Sequence, residues 1–222
     1  MNLFIAVLPY NHMIFSGCAE SLIKNSIDLV NKGYTITPLF NSGAYIDLAR
    51  DMAVKLFLET DCTDLIFIDA DLKFDNDSIY KLLKHDREIV TGIYPYKRDP
   101  LDFPVNLIYD ENDNCKDEET GLISVDMTTT GFMRIKRSVF MDTIEYYKMN
   151  PDNDGMYHFF DTGMRFNDNK WYGEDIYFLK RFLDMGKKIW SVPDINFSHY
   201  AVKEYSGNYH NYLMSRTVDV NS

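Results

Sequence analysis

Apolar and polar positions fall in blocks whose spacing changes along the chain, and the spacing predicts the elements. Residues 3–8 form a compact apolar run that stops at Pro9, which reads as a buried first strand opening into a loop. Leu22, Ile23, Ile27 and Val30 then recur at helical spacing, with Ser16 as a capping residue, Glu20 in the early turns and Lys32-Gly33 as the close. A second strand is expected over residues 34–39, and a helix over 44–58 with Leu48, Ala49, Met52, Ala53, Leu56 and Phe57 on one face. Leu65-Ile66-Phe67-Ile68 is unbroken and rich in β-branched and aromatic side chains, the sign of a strand covered on both faces. Strand, helix, strand, helix, strand in this order implies right-handed crossovers and a mostly parallel sheet, hence an α/β fold.

The second half is less regular. A helix is expected over 76–84 and a strand over 89–93, followed by the loop Tyr94-Pro95-Tyr96-Lys97. Residues 110–121 are polar and acidic and read as an exposed excursion. A strand over 122–127 precedes Thr128-Thr129-Thr130-Gly131, which leads into Phe132-Met133-Arg134-Ile135. Helices over 137–148 and 173–185 flank a turn-rich break at 150–155; the second turns Ile176, Leu179, Phe182 and Leu183 inward and ends at Gly186. Short strands are expected over 189–192 and 195–198. The chain thus reads as one domain over 1–205, with 206–222, rich in Asn, Tyr and Ser, as a C-terminal tail of potential flexibility.

Composition narrows the partners. At 222 residues, with 45% hydrophobic side chains, the chain suits one well-filled core. Its net charge of −11 argues against nucleic acid or an anionic membrane as the main partner, so an anionic substrate needs local help. Cys18, Cys62 and Cys115 are odd in number and widely spaced, which disfavours a disulfide framework or a structural zinc site and makes reduced, cytoplasmic thiols the default. The apolar start lacks a basic region before it and reads as a strand, not a signal peptide; no stretch approaches the ~20 apolar residues that span a bilayer.

Candidate chemistry sits at the end of the third strand. Asp69 and Asp71 are two residues apart, so they project to the same side if the extended geometry persists, at the sheet edge where open α/β folds bind ligands. Paired carboxylates repel unless a cation sits beside them, which makes this a candidate Mg²⁺ or Mn²⁺ diphosphate site. A solvated acidic turn, with Asp64, Asp75 and Asp77 nearby, is the plain alternative. Glu174 and Asp175 open a predicted helix behind Trp171, Tyr172 and Gly173, where acids often do no more than complement the helix dipole.

Taken in order, Asp69-Ala70-Asp71, Thr130-Gly131-Phe132-Met133, Gly173-Glu174-Asp175 and His199 resemble the pattern of GT-A-type glycosyltransferases, closest to the family-2-like enzymes of bacteria, phages and large viruses. The likeness extends from Leu3 to about Tyr200 and is sharpest from Ala49-Arg50-Asp51 to Val90-Thr91-Gly92-Ile93-Tyr94-Pro95-Tyr96-Lys97. Members often carry Ala-Arg-Asn at the first of these, so Asp51 is a departure. Trp171-Tyr172-Gly173-Glu174-Asp175 also looks like the Trp-Gly-Gly-Glu-Asp segment of galactosyltransferases.

The resemblance implies a GT-A fold and sugar transfer from a nucleoside diphosphate donor, with uridine the favoured base, to a hydroxyl on a glycan, protein or lipid-linked acceptor, in the cytoplasm of a bacterial or virus-infected host cell. It implies Mn²⁺ or Mg²⁺ held by Asp71 and His199, with Asp69 on the ribose, the metal or a metal-bound water. Asp175 is the favoured base and Glu174 the residue orienting hydroxyls, the reverse assignment staying open. Donor contacts are expected from Pro9, Tyr10, Asp47, Arg50, Lys97, Gly131 and Trp171; a structural ion pair for Arg50 and core packing for Trp171 remain equal readings. Two other classes compete: a sugar nucleotidyltransferase, disfavoured because Pro9-Tyr10-Asn11-His12-Met13 holds neither Gly nor Arg, and a non-catalytic carbohydrate-binding module.

Overall fold

The computed structural model describes residues 1–164, 169–201 and 203–219. In chain order the elements are β1 (Asn2–Leu8), a short 3₁₀ turn (Tyr10–His12), α1 (Ser16–Asn31), β2 (Thr35–Phe40), α2 (Ile46–Leu58), β3 (Asp64–Asp69), β4 (Leu72–Phe74), α3 (Ser78–Leu83) and β5 (Ile89–Gly92). There follow β6 (Asn106–Leu107), β7 (Ile123–Met127), β8 (Phe132–Lys136), α4 (Arg137–Tyr147), β9 (Gly163–Met164), β10 (Trp171–Tyr172), α5 (Glu174–Asp184), β11 (Ile189–Val192), β12 (Asn196–His199), β13 (Tyr205–Asn208) and α6 (Tyr209–Asp219).

The main sheet has eight strands in the order β2-β1-β3-β8-β5-β11-β7-β6. β1 runs parallel to β2 and β3, and β5 parallel to β11. β8 is inserted antiparallel between β3 and β5, and β7 runs against β11 and β6, so only β7 and β8 oppose the common direction. The α/β class and mostly parallel sheet expected for a GT-A fold are therefore what the chain adopts.

Both faces of the sheet are covered, which is why its central strands read as unbroken apolar runs. Phe4, Ala6 and Leu8 of β1, with Leu65 and Phe67 of β3, pack against Ala53 and Phe57 of α2, Phe140 of α4 and Phe178 and Phe182 of α5. The alternate residues Leu3, Ile5, Val7, Ile66 and Ile68 face Cys18, Leu22 and Leu29 of α1 and Ile79 and Leu82 of α3.

A second, three-stranded sheet in the order β13-β12-β4 stands at the end of β3, with β12 antiparallel to both neighbours. Its register sets His199 opposite Leu72, the residue after Asp71.

Three expectations shift. α1 buries Cys18, Ser21, Leu22, Asn25 and Leu29, while Ile23, Ile27 and Val30 face solvent. The helix begins at Ser16 with Phe15 in the capping position, so Ser16 supplies no side-chain cap. Residues 206–219, expected as a tail, complete β13 and form α6: Tyr209 is buried, its ring 5.2 Å from that of Phe103. The last three residues of that expected tail, 220–222, lie outside the described residues.

Candidate active site

β3 ends at Asp69 and the chain turns at once through Ala70 and Asp71 into β4. Every step of this turn is tied down: the Asp69 N–H donates to the Gly131 carbonyl (2.7 Å), the Phe15 N–H to the Ala70 carbonyl (3.0 Å) and the Tyr200 N–H to the Asp71 carbonyl (2.8 Å). The ring of Phe15 stacks on that of Tyr200 at 5.3 Å. The two carboxylates therefore leave a rigid turn, each toward its own partners.

Asp69 faces inward. The Tyr94 hydroxyl donates to its Oδ2 at 2.9 Å, and the Arg50 Nη2 lies 3.5 Å from its Oδ1. Burial and the Asp69 charge hold the Tyr94 phenol well above its ordinary value, so it stays a donor. Gly131 lies under this carboxylate: a Cβ there would fall 1.9 Å from Asp69 Oδ2 and 2.3 Å from the Tyr94 hydroxyl. Gly131, expected as a donor contact, is thus pressed against side chains of the protein itself.

Asp71 faces the small sheet. Lys97 bonds its Oδ2, and His199 Nε2 stands 3.5 Å from its Oδ1. Burial pushes the Asp71 carboxyl up, but hydrogen bonds and charge from His199 and Lys97 outweigh it and hold the group below the usual range. His199 Nδ1 lies 2.8 Å from the Pro95 carbonyl, which can only accept, so Nδ1 carries a proton and Nε2 is the nitrogen that faces Asp71.

Glu174 and Asp175 open α5 behind Gly173. Glu174 Oε1 is 3.6 Å from Arg50 Nε, so the guanidinium spans from the end of β3 to the start of α5. Asp175 accepts the N–H of Ile176 at 2.7 Å. Burial, reinforced by the Glu174 charge, raises its pKa to about 6 against the smaller pull of that hydrogen bond and of Arg50.

The four acids, Arg50 and Tyr94 line one cleft of about 470 Å³. Its polar side holds Arg50, Asp69, Asp71, Thr130, Glu174 and Asp175; Leu8, Tyr10, Met13, Phe15 and Ile46 form an apolar wall. Around it, the Nε and Nη1 of Arg50 and the Oγ1 of Thr130 are buried without a hydrogen bond among the described residues. Unpaired buried polar atoms are uncommon in folded proteins, and here they cluster beside the acids.

The remaining expected contacts scatter. The Pro9 carbonyl accepts the Ser42 hydroxyl at 2.8 Å, and Tyr10 is exposed on the cleft wall. Asp47 accepts the N–H of Leu48 at 2.8 Å, and its neighbour Ile46 is the one that reaches the wall. Trp171 is 70% exposed on β10, which excludes the core reading for it. Asp51 is buried and accepts the N–H groups of Phe159 (2.9 Å) and Phe160 (3.0 Å), with His158 Nδ1 at 3.3 Å; burial raises its pKa to about 6. It anchors a loop and does not line the cleft. Cys18 sits beneath the turn, its thiol pushed up to about 12 by burial, and is no nucleophile.

The donor set can be weighed for a divalent cation. Asp71 and His199 supply an oxygen and an imidazole nitrogen whose opposite N–H is anchored on a carbonyl, the usual support of a metal-binding histidine. Asp69 does not join them: among the described residues no three His, Cys, Asp or Glu side chains stand close enough to hold an ion. Asp69 and Asp71 line the same cleft, but the extended backbone stops at Asp69 and each carboxylate has its own partners. Two protein ligands with the rest from substrate phosphates is how Mg²⁺ is commonly held, and the residues fit that arrangement.

No family model and no curated protein matches this sequence. Among solved structures, that of A197 from STIV is similar over 89% of this chain and 85% of that one, at 16% identity and a TM-score of 0.51, and shows the shared fold. More distant are the catalytic domain of Drosophila beta1,4galactosyltransferase 7 in complex with xylobiose (12% identity, 86% of this chain and 65% of that one, TM-score 0.45) and 4-diphosphocytidyl-2C-methyl-D-erythritolsynthase from Anaerococcus prevotii (10%, 99% of both, TM-score 0.40). Among the described residues no helix is long and apolar enough to cross a membrane.

Proposed function

We propose that this chain is a metal-dependent glycosyltransferase that moves a sugar from a nucleoside diphosphate donor, with uridine the favoured base, to a hydroxyl of a glycan or glycoconjugate. The observation that carries the reading is the meeting of two acid motifs in one cleft, with Asp69 and Asp71 on one side, Asp71 beside His199, with Glu174 and Asp175 on the other, and with Arg50 bridging Asp69 to Glu174. Sequence order alone suggests such a meeting; unrelated acidic surface residues would not share a buried cation and a cleft.

The chemistry follows from the groups present. Asp71 and His199 would hold the divalent ion, which supplies Lewis-acid neutralisation of the leaving diphosphate. The apolar wall at Tyr10, Met13 and Ile46 suits the flat face of a base, and Lys97 is near enough to exchange Asp71 for a phosphate oxygen. The acceptor oxygen bonds to the anomeric carbon as the bond to the diphosphate breaks, and Asp175 takes the hydroxyl proton. A carboxyl with a pKa of about 6 is ionised at neutral pH yet basic enough to receive that proton in the transition state. Glu174, held by Arg50, orients sugar hydroxyls.

Isothermal titration with UDP, with and without Mn²⁺, tests the binding half, and a panel of nucleotide sugars scored for released diphosphate tests the enzyme. UDP should bind with metal only, and Asp71→Ala should remove that dependence. Binding of free glycan that ignores nucleotide and metal would instead make this a carbohydrate-binding module. Release of pyrophosphate from a nucleoside triphosphate and a sugar phosphate would make it a nucleotidyltransferase.

A further inference from the structure

We propose that Arg50 is a positioning residue of the transfer site: by bridging Asp69 and Glu174 it fixes the donor-side and acceptor-side acids to each other and leaves Asp175 as the acid without a cation. This deepens the transferase reading and rests on it.

The geometry is unusual for a residue of stability alone. Arg50 is 4% exposed, and burying such a charge costs several kcal/mol unless it is well paired. Its contacts to Asp69 (3.5 Å) and Glu174 (3.6 Å) are both long, so the charge is shared between the acids and committed to neither. Among the described residues Nε and Nη1 keep no hydrogen bond. The plane is held by aromatic rings, with Phe67 at 5.1 Å and Phe160 at 5.9 Å. A cation seated on ring faces stays put without saturated hydrogen bonding.

The neighbouring residue completes the device. Asp51 accepts the N–H groups of both Phe159 and Phe160, which fixes the Phe160 ring against Arg50. One turn of α2 thus supplies the cation and the anchor for its seat. Without a cation between them, the carboxylates of Asp69, Glu174 and Asp175 would repel and splay. Among the described residues no salt bridge reaches Asp175, and the charged groups that act on it are Glu174, Arg50 and Asp69. The two adjacent acids of α5 therefore take different roles because only one of them is bound to arginine.

The test is a carboxyl-carbon NMR titration of the full chain as wild type, Arg50→Met, Arg50→Lys and Glu174→Gln. Asp175 is assigned through Asp175→Asn, and Asp51, assigned through Asp51→Asn, is the internal reference. Loss of the cation should move the Asp175 midpoint up by about one pH unit, Arg50→Lys should move it less, and Asp51 should stay where it is. Glu174→Gln should move Asp175 down. An Asp175 midpoint that ignores Arg50→Met overturns the proposal. So does a joint relaxation of Asp51 and Asp175 toward ordinary carboxylate values, because that reports a loosened fold. Steady-state rates with a UDP-sugar and Mn²⁺ supply the second readout: kcat should fall about 100-fold in Arg50→Met with KM changed little, and Arg50→Lys should recover part of it. A raised KM at unchanged kcat would make Arg50 a plain donor contact and overturn the positioning role. Absence of turnover by the wild type with every donor overturns the transferase reading and the catalytic half of this proposal, while the titration decides the bridge by itself.

Discussion

Asp175 is ionised at neutral pH in surroundings that disfavour its charge. Its folded pKa of about 6 lies above the ordinary 3.8, chiefly through burial and then through Glu174. A raised folded value means that the stability contribution is fully present below pH 3.8 and is lost as pH climbs through 6. Above that, the ionised carboxylate costs up to about 3 kcal/mol, from the two-unit gap at 1.36 kcal/mol each. Asp175→Asn keeps an oxygen for the Ile176 N–H and should therefore melt higher than wild type at pH 8, the difference closing by pH 4, while transfer activity is lost. Equal melting curves across that range would remove the strain and with it the case for Asp175 as base. At this scale the sequence is informative about acids and poor about their supports. Asp69, Asp71, Glu174, Asp175 and His199 stand in a recognisable order, but the Pro95 carbonyl that turns His199 is a backbone group with no signature of its own. The Tyr94 hydroxyl on Asp69 was equally hidden, since a tyrosine after a strand is commonplace.

Helix α1 shows where a count of apolar residues misleads. Leu22, Ile23, Ile27 and Val30 have the right spacing for a buried face, yet the helix is rotated so that only Leu22 of these is covered. The reason lies in two polar side chains. Ser21 Oγ donates to the Phe74 carbonyl (2.8 Å) and accepts the Phe74 N–H (3.0 Å), while Asn25 donates to the Asp75 carbonyl (2.8 Å) and accepts the Ile79 N–H (3.1 Å). They complete the hydrogen bonding of β4 and the start of α3 where no strand can, and leaving those groups unpaired would cost more than exposing three aliphatic side chains. Periodicity reads hydropathy and is blind to this, whereas the fully apolar runs of β1 and β3 gave it nothing to confuse. Asn25→Ala should accordingly destabilise by about 1–3 kcal/mol in urea unfolding, and Ile27→Ala, at a residue 58% exposed, by less than about 0.5 kcal/mol. The reverse ranking would mean that the helix packs as its apolar spacing suggests.

For the whole molecule the decisive strand pairing is the one most remote in sequence among the described residues: β12 returns to pair with β4, so that His199 meets Asp71 across a turn formed more than a hundred residues earlier. Register of this kind depends on pairing between remote strands, which local spacing does not encode, and resemblance alone made it legible. The same sheet extends to β13, and the chain then enters α6, whose Tyr209 and Tyr212 rings lie 5.2 and 5.0 Å from Phe103. Phe103 in turn ends the loop that starts at Tyr96, whose N–H donates to the Asp102 carbonyl at 2.9 Å, and that loop carries Lys97 to Asp71. The polar composition of the last residues hid this, because two aromatic anchors suffice to dock a helix that is otherwise solvated. Ending the chain after residue 208 removes those anchors from Phe103. The truncated protein should lose about 3 kcal/mol of stability, the worth of one to two buried aromatic side chains, and Tyr209→Ala should reproduce most of that loss. Because Lys97 depends on the same loop, UDP affinity with Mn²⁺ should fall as well, measurably below the temperature at which either variant melts. A truncated chain that melts and binds like the full one would return these residues to the status of a tail and detach the Lys97 loop from the C-terminal helix.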